Sequence, residues 1–80
     1  MTGNMNKKRR TKLEPAIQML SEISKIVEMC LDEEQDCLDN IPEGLQFTER
    51  YEKIEASVDN LESAIEHIDS ARDNLLDAML

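Results

Sequence analysis

The feature that most restricts this chain is a heptad. Apolar residues recur at alternating spacings of four and three along Phe47, Tyr51, Ile54, Val58, Leu61, Ile65, Ile68, Leu75 and Met79, with only Arg72 interrupting the row. A helix with that row has one continuous apolar seam and needs another helix against it. The rest of the chain offers few alternatives. With 2 Gly, 2 Pro and 2% aromatic residues, β-hairpins have almost nothing to turn on, so all-β and α/β folds are excluded. At 80 residues the chain is one small domain, without room for a two-layer enzyme.

A first helix precedes the seam. Thr11-Lys12-Leu13-Glu14 has the form of a capping box, although Pro15 also suits a first helical position and would make Glu14 the cap. From there Leu13, Ile17, Leu20, Val27, Leu31 and Leu38 form one stripe, and Ala16, Met19, Ile23, Ile26, Cys30 and Cys37 an adjacent one. The helix should fade at Asp39-Asn40, because Pro42 disfavours helical Ile41 and Gly44 follows. The expected organisation is a basic flexible N-terminal segment over 1–12, a helix over 13–39, a linker over 40–47 and a helix over 48–79. Each helix would span about 40 Å.

These elements predict an all-α antiparallel helical hairpin with a coiled-coil-like second helix. The first helix's apolar face is too wide for a single neighbour, so the expected closure is a homo-oligomer, with a symmetric dimer that completes a helical bundle favoured. The seam residues Tyr51, Ile54, Val58, Leu61, Ile65, Ile68 and Leu75 are the candidate oligomer interface. Beside them Ser57, Ala64, Ala71 and Ala78 form a row of small side chains that would let a helix approach closely. Arg72, at a seam position, would then need Asp or Glu across the interface, since a buried unpaired guanidinium is costly.

No catalytic residues are expected. The chain has no Gly-rich phosphate loop, no nucleophile elbow and no paired zinc-ligand spacing. Cys30 and Cys37 lie about 10.5 Å apart along one helix, too far to bond, and are expected to be buried apolar thiols. The single histidine, His67, has Ala64 three residues before it where a helical di-iron motif needs Glu. From Asp32, five positions of a calcium loop carry oxygen side chains: Asp32, Glu34, Asp36, Asn40 and Glu43. Cys37 in place of the turn glycine, Asp39 in place of an apolar residue, and Pro42 depart from that pattern, so calcium is the weaker reading. No cofactor or metal is expected. With no signal-peptide pattern and no apolar run of about 18 residues, the expected compartment is cytoplasmic, without membrane contact.

Charge is the informative surface property. Lys7, Lys8, Arg9, Arg10 and Lys12 give the first twelve residues +5 with no acid, while the rest sets 18 acids against Lys25, Arg50, Lys53 and Arg72, a net −14. On the second helix Glu52, Glu55, Asp59, Glu62, Glu66, Asp69 and Asp73 form a wholly acidic second heptad series, about 100° around from the seam. These seven are the candidate partner-binding residues. Over about 32 Å they supply one charge per roughly 5 Å, against about one per 1.7 Å in duplex DNA, so one helix alone is a dilute DNA mimic. The cluster Asp32, Glu33, Glu34, Asp36 and Asp39 would raise the density near the bend. Direct nucleic-acid binding is expected only through the N-terminal basic segment.

Three stretches carry a resemblance: Met5-Asn6-Lys7-Lys8-Arg9-Arg10 with Leu13-Glu14; Asp32-Glu33-Glu34-Gln35 through Asp39-Asn40-Ile41-Pro42-Glu43; and Glu49-Arg50-Tyr51-Glu52 through Asp59-Asn60-Leu61-Glu62-Ser63-Ala64-Ile65. Together they resemble short acidic helical proteins of phages and mobile elements of Gram-positive bacteria. The resemblance implies a setting of phage and host conflict or element maintenance, in which small proteins bind and block host enzymes. It carries over no catalytic residue. Three function classes follow: an acidic inhibitor that binds a basic surface of a host or phage protein, a structural oligomer, and an assembly that sequesters a small ligand between subunits.

Overall fold

The computed structural model describes residues 5–80 as two antiparallel helices, α1 (Lys7–Asp39) and α2 (Glu49–Ala78), joined through a single 3-10 turn at Glu43–Leu45. The molecule is an all-α helical hairpin, and no strand occurs among the described residues. At 33 and 30 residues the helices are about 50 and 45 Å long. The overall dimensions of 59 × 20 × 14 Å are those of two helices side by side, one helix thick.

The second helix starts where its residues dictate. Thr48 is extended (φ −83°, ψ 158°) and its hydroxyl accepts a hydrogen bond from the Tyr51 amide at 3.3 Å, which satisfies one of the free donors of the first turn. Glu49 and Glu52 lie in that turn, where the helix dipole favours acids. Phe47, placed at the head of the seam by the heptad, is instead 93% exposed. It precedes the cap, and the position four into the helix that could clasp it is Glu52, so no hydrophobic staple forms.

The first helix begins five residues earlier than the capping box implied. Asn6 (φ −69°, ψ 158°) accepts the Arg9 amide on its side-chain oxygen at 2.9 Å, and Lys7 through Lys12 form the first turns of α1. The basic segment is therefore helical from Lys7 and not a flexible tail; residues 1–4 of it lie outside the described residues. Thr11 does not cap: its hydroxyl donates to the Lys7 carbonyl at 2.9 Å. Pro15 sits inside the helix, where it offers no amide to the Thr11 carbonyl.

At the other end Asn40 closes α1 through its amide to the Asp36 carbonyl at 3.1 Å. The bend is held by the Leu45 amide on the Pro42 carbonyl at 2.9 Å and by the Thr48 hydroxyl on the Leu45 carbonyl at 2.8 Å. The helix runs unbroken through Asp32, Glu34 and Asp36. Residues two apart on a helix point about 200° away from each other, so these oxygens cannot converge on one ion as a calcium loop requires.

Little is buried. Val58 is the one buried apolar residue and Ser24 the one buried polar residue among the described residues, each 4% exposed. Tyr51, Ile54, Leu61, Ile65, Ile68 and Leu75 are half-buried. They line the seam between α1 and α2 within one chain and keep part of their surface open.

Two stability predictions follow from this distribution. Val58→Ala should lower the unfolding free energy by about 2 kcal/mol, whereas Phe47→Ala should change it by less than about 0.5 kcal/mol. Gly44 has no left-handed φ, and a methyl group added there meets nothing within 4 Å. Gly44→Ala should therefore stabilise by about 0.5 kcal/mol through the unfolded chain. Urea unfolding followed by circular dichroism measures all three.

Candidate functional site

The acidic series of α2 divides in the folded hairpin. Glu52, Glu55, Asp59, Glu62, Glu66 and Asp73 are exposed, whereas Asp69 is half-buried. Asp69 has turned to the seam: the Ser24 hydroxyl donates to its Oδ1 at 3.1 Å, and Arg72 Nη1 lies 3.7 Å from the same oxygen. Arg72 Nη2 also reaches Asp73 at 3.8 Å. Within the chain Arg72 thus finds its acids on its own helix, at Asp69 one turn away and at the neighbouring Asp73.

Ser24 was not singled out in the sequence, although a signal was present. The α1 stripe of Leu13, Ile17, Leu20, Val27, Leu31 and Leu38 skips two seam positions, Glu34 and Ser24, and only the second is a small side chain. A small hydroxyl there leaves space for Asp69 and Arg72 to meet the seam, which an additional leucine would fill. On the same flank Gln18, Ser21, Lys25 and Glu28 join Ser24, Asp69 and Arg72 around an open polar groove of about 540 Å³. The acidic face consequently extends onto α1 through Glu28 and includes Lys25.

The remaining carboxylates of the series have few partners. Lys53 pairs with Glu49 at 3.2 Å and Arg72 with Asp69 and Asp73, and none of these pairs uses Glu52, Glu55, Asp59, Glu62 or Glu66. Like charges at three- and four-residue spacing cost a helix a few tenths of a kcal/mol per pair. The seam must offset that cost.

Other candidate residues do not assemble into a chemical site. Cys30 and Cys37 are both free and exposed, contrary to the buried thiols expected, because their row on α1 faces away from α2. His67 is exposed. No group of three or more His, Cys, Asp or Glu side chains able to hold a metal ion occurs among the described residues. At the bend an open groove of about 530 Å³ is lined by Cys37, Asn40, Ile41, Pro42, Leu45, Thr48 and Arg50. It brings a thiol toward a guanidinium, which always carries its proton and cannot act as a base.

Comparison of the chain with family models, curated proteins and solved structures finds no match.

The polar layer makes its own prediction. Ser24→Ala removes the hydrogen bond to Asp69 and should cost about 1 kcal/mol, with most of that loss absent when Asp69 is already Asn. A double-mutant cycle in urea measures the coupling. Additive effects would mean that the bond does not fasten α1 to α2.

Proposed function

We propose that this chain is a non-catalytic, acidic protein-interaction module. It works as an inhibitor from a phage or mobile element, in the cytoplasm, and docks on a basic surface of a host protein that handles nucleic acid. The observation that carries this reading is the run of exposed carboxylates Glu52, Glu55, Asp59, Glu62 and Glu66 on one helix, off the seam and outside the ion pairs of Lys53 and Arg72. A charged face that the fold does not use is available to a partner without disturbing the hairpin. Its field would speed encounter with a basic surface and make binding salt-sensitive, with screening over about 8 Å at physiological ionic strength. The membrane has no part in this reading: no helix among the described residues is long and apolar enough to cross one.

A ligand-sequestering or purely structural homo-oligomer is the second reading. The exposure of Met19, Ile23, Ile26 and Met29, between 45% and 66%, favours it. A sequestering assembly would co-purify with a small molecule, and a structural one would capture no partner.

Affinity capture from the natural host tests the first reading. With Glu55, Glu62 and Glu66 changed to Gln and Asp59 to Asn, helicity should be retained and capture of the partner should fall at least about tenfold, a loss of about 1.4 kcal/mol. Raising salt should weaken the unaltered complex likewise. If the folded variant captures the same partner at equal strength, the acidic face only solubilises the hairpin.

A further inference from the structure

The flank of the hairpin opposite the acidic face is apolar. On α1, Met19, Ile23 and Ile26 are 60%, 45% and 61% exposed, and Cys30 continues their three-and-four spacing. The antiparallel register set by Ser24 and Asp69 places Ile23 level with Ser70 and Cys30 level with Ser63, each one residue from Ala71 and Ala64. Beside the bulky row of α1, α2 presents the small residues Ala64 and Ala71 alternating with the exposed Asn60, His67 and Asn74.

The ends of the same row say which helix fits. Continued toward the N-terminus the row reads Lys12 and then Arg9; continued toward the C-terminus it passes Glu33, between Cys30 and Cys37, and Arg9, Lys12 and Glu33 are all exposed. A row with bases at one end, apolar residues in the middle and an acid near the other end is partly self-complementary when reversed. Helix polarity points the same way. The first turn of α1 has no acid and its last turn no base, so bases stand at the positive end of the dipole and acids at the negative end, an unfavourable arrangement at both. An antiparallel copy relieves both ends at once.

We propose that the occupant of this flank is a second copy of the chain. Two hairpins pair α1 against α1 in antiparallel orientation about a two-fold axis between Ile23 and Ile26, as a four-helix assembly. In that register Ile23 lies level with Ile26 of the partner subunit, and Met19 level with Cys30 of the partner subunit. Lys12 lies four residues, about 6 Å along the axis, from the level of Glu33 of the partner subunit. The interface is isologous, so each contact occurs twice. The acidic faces remain on the outside, which makes the dimer independent of the function proposed above.

Site-directed disulfide formation tests the arrangement. In a Cys37→Ser background, native Cys30 should not cross-link to itself, because the two copies of Cys30 are eleven residues out of register, about 16 Å along the axis. Adding Met19→Cys should produce a covalent dimer under mild oxidation, with Glu22→Cys as the control that does not. Light scattering on the reduced, unaltered chain should give twice the chain mass at micromolar concentration. Lys12→Glu and Glu33→Lys should each weaken association about threefold to tenfold at low salt, and the two together should restore it. A chain that stays monomeric at about 100 µM, or one in which native Cys30 cross-links to itself as fast as the Met19→Cys variant does, overturns the proposal. Circular dichroism on every variant separates lost pairing from lost folding.

Discussion

A two-helix hairpin has a single seam, and each helix can turn only one stripe toward it. Everything else in this molecule follows from that limit. Among the described residues only Val58 and Ser24 are buried, and the rest of the seam is half open to water. Small domains with so little interior are marginal, and they commonly gain stability from disulfides, metals or association. Here the cysteines are free and exposed and no metal-holding cluster occurs among the described residues. The association proposed above would draw on exposed apolar surface at Met19, Ile23 and Ile26.

The seam is not uniformly apolar, and the departure is what orders it. A row of leucines and isoleucines packs nearly as well when one helix slides by a heptad, since knobs and holes repeat along both helices. Ser24 breaks that degeneracy. Its hydroxyl finds Asp69 at only one register, and Arg72 accompanies Asp69 from the next turn. The ion pair itself contributes little, because both side chains are about a third exposed and the separation is long. The value of the layer lies in specificity: a hairpin slid by one heptad would set Ser24 against Glu62 or Leu76 and leave Asp69 opposite Ile17 or Leu31, with Arg72 parted from Ser24. Register in turn fixes which residues of α1 and α2 share a flank.

Much of this architecture is legible in the sequence, and the exceptions share a cause. The heptad through α2, the break at Pro42 and Gly44, and the two stripes of α1 give the hairpin and its excess apolar face, because periodicity reports on packing directly. What periodicity does not report is where a helix begins or which member of a charged series leaves it. Asn6 caps α1 ahead of four consecutive bases that the dipole disfavours, so the more conventional signal at Thr11 to Pro15 draws attention away from it. Asp69 is indistinguishable from Glu62 by spacing. Only the gap at Ser24, on the other helix, distinguishes them. The cysteines mislead for a related reason: residue type suggests burial, but their row lies on the flank that one partner helix cannot cover.

The two flanks respond to solution conditions in different ways, and this bears on how they can coexist. Pairing through α1 draws mainly on apolar area, which salt leaves intact or strengthens, with charge confined to the ends. Docking through α2 draws on charge alone and weakens as the Debye length shortens from about 10 Å toward 3 Å. A chain carrying −9 also repels its own copies at low salt, so any contact between hairpins has to set the attraction between their opposite ends against the net repulsion of their acidic faces. Antiparallel pairing manages this geometrically: it brings the basic ends to the acidic bends and keeps the carboxylates of α2 on the outer flanks, as far apart as four helices allow. The same placement doubles the acidic surface shown to a basic partner, and two linked faces bind a repeating basic surface more tightly than one face does without any new contact.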